Sequence, residues 1–195
     1  MKIFRKFKWA LLLAMILTLL IVGMAFATVI NPDGDPTDWP GHPSCAPGPG
    51  CSYLTNDPNE LGVPDANDIT DVWVTNSSTD VYYRLDTAAA TSFASGEFIR
   101  ICMDIPNQGP GVAVGGCTGL NTDRLILILS SGARVADCNS INCNDNFTVF
   151  FSGQAATSAT VSNVTEVAAA NADLGLTGGN NGDTIQTIVF FDNND

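Results

Sequence analysis

From residue 68 onward the chain is a succession of short β-type runs broken by turn residues, and that pattern restricts the fold more than any other feature. The runs are Asp71–Thr75, Asp80–Asp86, Glu97–Asp104, Arg124–Ser130, Ala133–Asp137, Asn146–Ser152, Ala159–Glu166 and Asp183–Phe191. No helical periodicity lies between them; only Val167–Leu176 has room for a short helical turn, before the glycine-rich loop at 178–182. Strands at this spacing predict an all-β fold, an antiparallel β-sandwich of immunoglobulin-like or jelly-roll type.

Alternation assigns the faces, because successive strand side chains point to opposite sides. Val72 and Val74 share one face, with Asp71, Trp73 and Thr75 on the other. In the next run Val81, Tyr83 and Leu85 oppose Tyr82, Arg84 and Asp86. The polar turn Asn76–Thr79 predicts a hairpin. Aligning the apolar faces pairs Val74 with Val81 and Val72 with Tyr83, and places Trp73 beside Tyr82 and Asp71 beside Arg84. Leu125-Ile-Leu-Ile-Leu129 does not alternate and is expected to be a central strand covered on both faces.

The N-terminus reads as an export signal. Lys2, Arg5, Lys6 and Lys8 precede an apolar stretch that ends in Ala25-Phe26-Ala27. A basic region, an apolar region and an A-x-A site predict a signal peptide over 1–27, cleaved after Ala27. The alternative is an uncleaved anchor, since the apolar run from Trp9 to Ile30 is long enough to span a bilayer. The protein is therefore expected to be secreted or displayed at the cell surface, touching a membrane only through this segment if it is kept. Residues 28–195 form one expected domain, opening with a loop-rich Pro/Gly/Asp segment over 28–67. The chain ends just after the last expected strand, so no appended catalytic or anchoring domain is expected.

The full chain carries a formal charge of −12. Residues 28–195 contain four arginines and no lysine against twenty acids, a net charge of −16. Nucleic acid needs clustered Lys and Arg and is excluded as a partner. Anionic glycans and anionic lipid are disfavoured, and the acidity suits solubility outside the cell or a saline habitat.

All six cysteines (Cys45, Cys51, Cys102, Cys117, Cys138 and Cys143) follow the export segment, where disulfides persist. Their spacing suggests the local pairs Cys45–Cys51, Cys102–Cys117 and Cys138–Cys143, among 15 possible connectivities. The competing reading, a zinc site with or without His42, lacks any C-x-x-C pair. Three sequons begin at Asn76, Asn146 and Asn163, although the short signal looks bacterial, where such sequons are usually incidental.

Candidate ligand contacts are the outward Trp73 and Tyr82 with Arg84 and Asp71 beside them, which could stack on a sugar ring and bond its polar edge. The same rings could instead be a cross-strand pair under a loop, or a contact buried by the second sheet if the face assignment is inverted. Asp57, Asp65, Asn67 and Asp68 supply the oxygen donors that calcium takes, or else the Asx turns such residues form. Asp33, Asp35 and Asp38 are expected to shape a turn and cap the first strand, with a metal ion there as the alternative. No nucleophile motif surrounds any serine, and with 17 Asp and 3 Glu a facing carboxylate pair can always be imagined. No catalysis is expected.

Asp33-Gly-Asp-Pro-Thr-Asp-Trp39 is similar to the opening motif of carbohydrate-binding module family 9 and related DOMON-like domains. Asp68–Asn76 followed by Val81–Asp86 resembles their first core hairpin, and Thr165–Ala168 with Asp173-Leu174-Gly175 resembles the segment before their final strand. The resemblance covers most of residues 28–195 in the expected order. It implies a secreted β-sandwich and, for family 9 proper, sugar held between two aromatic rings with calcium near the loops. Trp39 and Trp73 are the only tryptophans after the export segment, and Trp39 falls in the opening motif, where packing is its expected role. The expectation is a secreted, non-catalytic binding module for neutral polysaccharide, with a structural calcium ion. The alternatives are an extracellular protein as partner, or a structural protein of the envelope or matrix.

Overall fold

Alternating strands with one apolar face must pair and then stack, and here they do so as two antiparallel sheets. The computed structural model describes residues 30–39, 51–56, 64–94, 96–108, 111, 114, 117, 119–138, 154–176 and 185–192. The described strands are β1 (Cys51–Asn56), β2 (Ile69–Asn76), β3 (Asp80–Thr87), β4 (Phe98–Asp104), β5 (Arg124–Leu129), β6 (Gly132–Asp137), β7 (Gln154–Val161), β8 (Val164–Ala170) and β9 (Gln186–Asp192). The first sheet runs β1-β2-β3-β8-β7 and the second β7-β6-β5-β4-β9. Strand β7 belongs to both. Its residues 154–156 pair with β6 and its residues 157–161 with β8, so one strand carries the chain from sheet to sheet.

Between the sheets lies an aliphatic core. Val72, Val81, Leu85, Val167 and Ala169 of the first sheet meet Ile99, Ile101, Met103, Ile126, Ile128 and Val135 of the second. The expected central strand is β5, flanked by β4 and β6. Its lack of alternation has a simple cause. Ile126 and Ile128 face the core, while Leu125 faces a second cluster on the outside of the sheet with Cys102, Val114, Cys117, Leu120, Ala136 and Cys138. The connection from β4 to β5 thus folds back over the outer face, and the Cys102–Cys117 disulfide fastens it there, with Cα atoms 6.4 Å apart.

Several expectations need correction. The β2–β3 hairpin forms, but two residues out of the expected register. Val74 pairs with Tyr83 and Trp73 with Arg84, while Tyr82 lies opposite Thr75 and Asp71 opposite Asp86. The turn is responsible. Ser77 N–H donates to the Asp80 carbonyl, and its Oγ accepts from the N–H groups of Thr79 and Asp80, so the strands close at Asn76–Val81. A slip of two leaves every side chain on its expected face. The run expected over Ala159–Glu166 is two strands, because Ser162 takes a left-handed conformation (φ 55°) and starts a tight turn. The short helical turn expected within Val167–Leu176 follows the strand: Val167–Ala170 complete β8, and within the turns at 171–175 Leu174 N–H donates to the Ala170 carbonyl, one α-type turn that is not continued. Strand β1 was missed because it lies in the Pro/Gly-rich segment.

Residues 1–27, expected to be an export signal, the run Asn146–Ser152, Cys45 and Cys143 lie outside the described residues. Cys138 is also in a disulfide.

The Cys102–Cys117 link closes a loop of 15 residues, for which chain entropy predicts about 3 kcal/mol. Replacing both cysteines by serine should lower the unfolding free energy by about that amount in denaturant titration. A non-reducing digest should recover the two cysteines in one linked peptide. An unlinked pair, or no loss of stability, would overturn the role given to the staple.

Candidate functional site

The outer face of the first sheet is organised by the segment 30–39. Pro36–Asp38 forms one 3-10 turn, capped by Asp35, whose carboxylate accepts the Thr37 N–H at 3.0 Å. Asp33 Oδ1 accepts the Asp35 N–H at 2.8 Å, and Asp38 Oδ2 accepts the Asn31 N–H at 2.7 Å. These short side chains bend the segment into a hook. Gly34 sits at φ +81°, and a Cβ there would lie 2.6 Å from the Val161 side chain, so only glycine fits.

The hook is fastened to one side chain. Glu166 on β8 is fully buried, and its two oxygens accept three N–H groups. Oε2 takes Gly34 N–H at 2.8 Å and Asp33 N–H at 3.2 Å, and Oε1 takes the Trp39 indole N–H at 2.7 Å. Burial is the main influence on the carboxyl and raises its pKa above the ordinary 4.5. The Gly34 and Trp39 donors oppose that rise, the charge of Asp38 adds to it, and the Asp33 donor opposes it.

Cross-strand register lines up Tyr53, Trp73, Arg84 and Glu166 along one row of this face. Trp73 and Tyr82 do point outward from the sheet, as expected, but both are only 7% exposed. Ile30 and Trp39 of the hook lie in the same cluster and cover them. The two rings thus lie in a layer under a loop, one of the readings open from the sequence. Arg84 is buried as well. Its guanidinium lies 4.4 Å from the Trp73 ring centroid and bonds Asp86 through two nitrogens, at 2.8 and 2.6 Å.

The accessible end of the row is Tyr53 on the edge strand β1. A bulge between Tyr53 and Thr55 leaves Tyr53 and its neighbour Leu54 each 44% exposed. Tyr53 O–H donates to Asp71 Oδ1 at 2.7 Å, and its ring centroid lies 5.4 Å from that of Trp73. Of the four expected ligand contacts, Asp71 and Trp73 stand beside this exposed ring, and Trp73 is itself buried. Tyr53 is not among the expected contacts, because it lies in the expected loop segment 28–67, although its Cys-Ser-Tyr-Leu-Thr-Asn stretch contains residues that favour strands. In the sequence Glu166 stands only within the Thr165–Ala168 motif. A lone acid inside an apolar β-run is the signal that could have marked it.

Among the expected calcium ligands, Asp57 lies outside the described residues. Asp65, Asn67 and Asp68 share one turn, exposed, half-buried and buried in that order. The Asp65 and Asp68 carbonyls accept the N–H groups of Ala89 and Ala88, and the Asn67 amide donates to Glu97 Oε1 at 3.2 Å. These oxygens have the chemistry calcium takes. Among the described residues, no three His, Cys, Asp or Glu side chains converge closely enough to hold a metal ion. No protein-family model matches the chain, and no curated protein matches it in sequence.

Glu166→Gln tests the fastening. Its amide NH2 must face either the two backbone donors or the indole donor, which should cost about 1–3 kcal/mol. The raised pKa sets the sign with pH. The carboxyl contributes most to stability below pH 4.5, and that contribution falls as pH rises through the raised value, above which it is constant. The wild-type-minus-variant difference in unfolding free energy should therefore shrink from acid towards neutral pH. A difference that grows with pH would contradict the assignment.

Proposed function

We propose that the protein is a secreted, non-catalytic β-sandwich module that binds neutral carbohydrate through the Tyr53 edge of its first sheet. The observation that carries this reading is an exposed aromatic ring held in a fixed pose. Its hydroxyl is tied to Asp71, and its ring packs against Trp73, which is itself stacked on Arg84. A ring fixed before binding loses little freedom when a pyranose stacks on it. Leu54 extends the apolar contact, and Asp71 places a polar acceptor at its rim. The charge of −16 on residues 28–195 favours an uncharged ligand over an anionic one. Export rests on the basic and apolar N-terminal segment with its A-x-A site.

A structural role in the envelope or matrix is the second reading, favoured by the covering of both outer faces, one by the hook and the other by the disulfide-fastened loop. Pull-down on insoluble neutral polysaccharides separates the two. The binding reading expects retention of the wild type and a loss of about tenfold in affinity, roughly 1.4 kcal/mol, for Tyr53→Ala. Absence of retention on every neutral polysaccharide, or equal retention of the variant, would sink this site and leave the structural reading.

Calcium belongs to the proposal through the oxygens of Asp65, Asn67 and Asp68, with Asp57 as a further ligand. Bound calcium should raise the melting midpoint, and a chelator should lower it. An unchanged midpoint would remove the ion.

A further inference from the structure

Residues 28–195 hold four arginines, no lysine and twenty acids, and the fold withdraws most of that small positive charge from the surface. Arg84, Arg100 and Arg124 are only 6%, 3% and 8% exposed. Each is engaged inside the fold, Arg84 with Asp86 at 2.6 Å, Arg100 with Asp192 at 3.0 Å and Arg124 with Asp137 at 2.7 Å. The Arg84 guanidinium also lies over Trp73, and that of Arg100 within 4.9 and 5.7 Å of the Phe98 and Phe190 ring centroids. Arg124 further donates to the Asp123 and Asp173 carbonyls and to Gln108. These guanidinium groups are internal struts. Arg134, half-buried on β6, is the remaining one. Asp33, Asp35 and Asp65 stand exposed, and Asp71, Asp80, Asp104 and Asp173 are partly exposed.

We propose that the folded state depends on a mobile atmosphere of monovalent cations, which supplies the positive charge that its own surface lacks. The interaction is with the whole acidic shell and needs no ion seated at one place. At about 0.01 M salt the screening length is about 30 Å, so acids on opposite sides of a domain this size repel one another. At about 1 M it is about 3 Å and only immediate neighbours interact. The three guanidinium groups are buried and their carboxylate partners only partly exposed (15%, 25% and 42%), so screening weakens these pairs less than it relieves the repulsion between surface acids. Unfolding spreads the acids apart, and low salt therefore favours the unfolded chain.

The test is thermal melting of the purified protein from 0.01 to 1 M salt, in sodium chloride and in choline chloride. The midpoint should rise by several degrees, most steeply at the low end, and equally in the two salts. A variant carrying both Asp104→Asn and Asp173→Asn should melt above the wild type at the lowest salt and level with it at the highest. A midpoint that is flat or falls with salt would overturn the proposal. A rise produced only by calcium and abolished by chelator would also overturn it, by showing a seated ion instead of an atmosphere. A double variant no more stable than the wild type at low salt would do the same. Neither arm involves Tyr53, so failure here is distinct from failure of the carbohydrate reading.

Discussion

A single buried carboxylate, Glu166, fixes how the outer face of the first sheet is used. A carboxyl removed from water is costly unless its lone pairs find donors, and this one finds three on a single ten-residue hook. The donors come from backbone and indole, so the segment must take one shape to deliver them: Gly34 at positive φ, Asp35 capping the 3-10 turn and Trp39 turned inward. Once docked, that shape carries Ile30 and Trp39 onto Trp73 and Tyr82 and closes the face. The polar contact sets position and the apolar contact contributes the burial.

The second sheet reaches a similar end by other chemistry. There the β4–β5 connection folds over Leu125 and Ala136 and is held by Cys102–Cys117. Each sheet thus has an apolar inner face packed on the other and an outer face covered by its own chain. What is left for recognition among the described residues is an edge, and the β1 bulge places an aromatic and an aliphatic side chain there together. The bulge also disturbs the ladder at that edge, which discourages pairing with a strand from another molecule.

The strands were largely legible, because a period of two survives any register. Face assignments for β2 and β3 hold although their pairing is displaced by two residues, since parity is a property of the run and register is a property of the turn. Ser77 decided the turn through side-chain hydrogen bonds that composition does not reveal. The outward placing of Trp73 and Tyr82 was legible too, but their cover was not: it comes from residues more than thirty positions upstream, joined through an acid on β8. Tyr53 is hidden in the sequence for a related reason. Its neighbours are turn-formers, and only pairing with β2 makes that stretch a strand.

Amide hydrogen exchange at Gly34 is the most direct measure of the central claim. If Glu166 holds the hook closed, the Gly34 amide exchanges slowly in the wild type, near the rate of the β8 amides, and Glu166→Ala accelerates it while the β4 and β5 amides keep their protection. A Gly34 amide that exchanges in the wild type as fast as an exposed peptide would contradict the account.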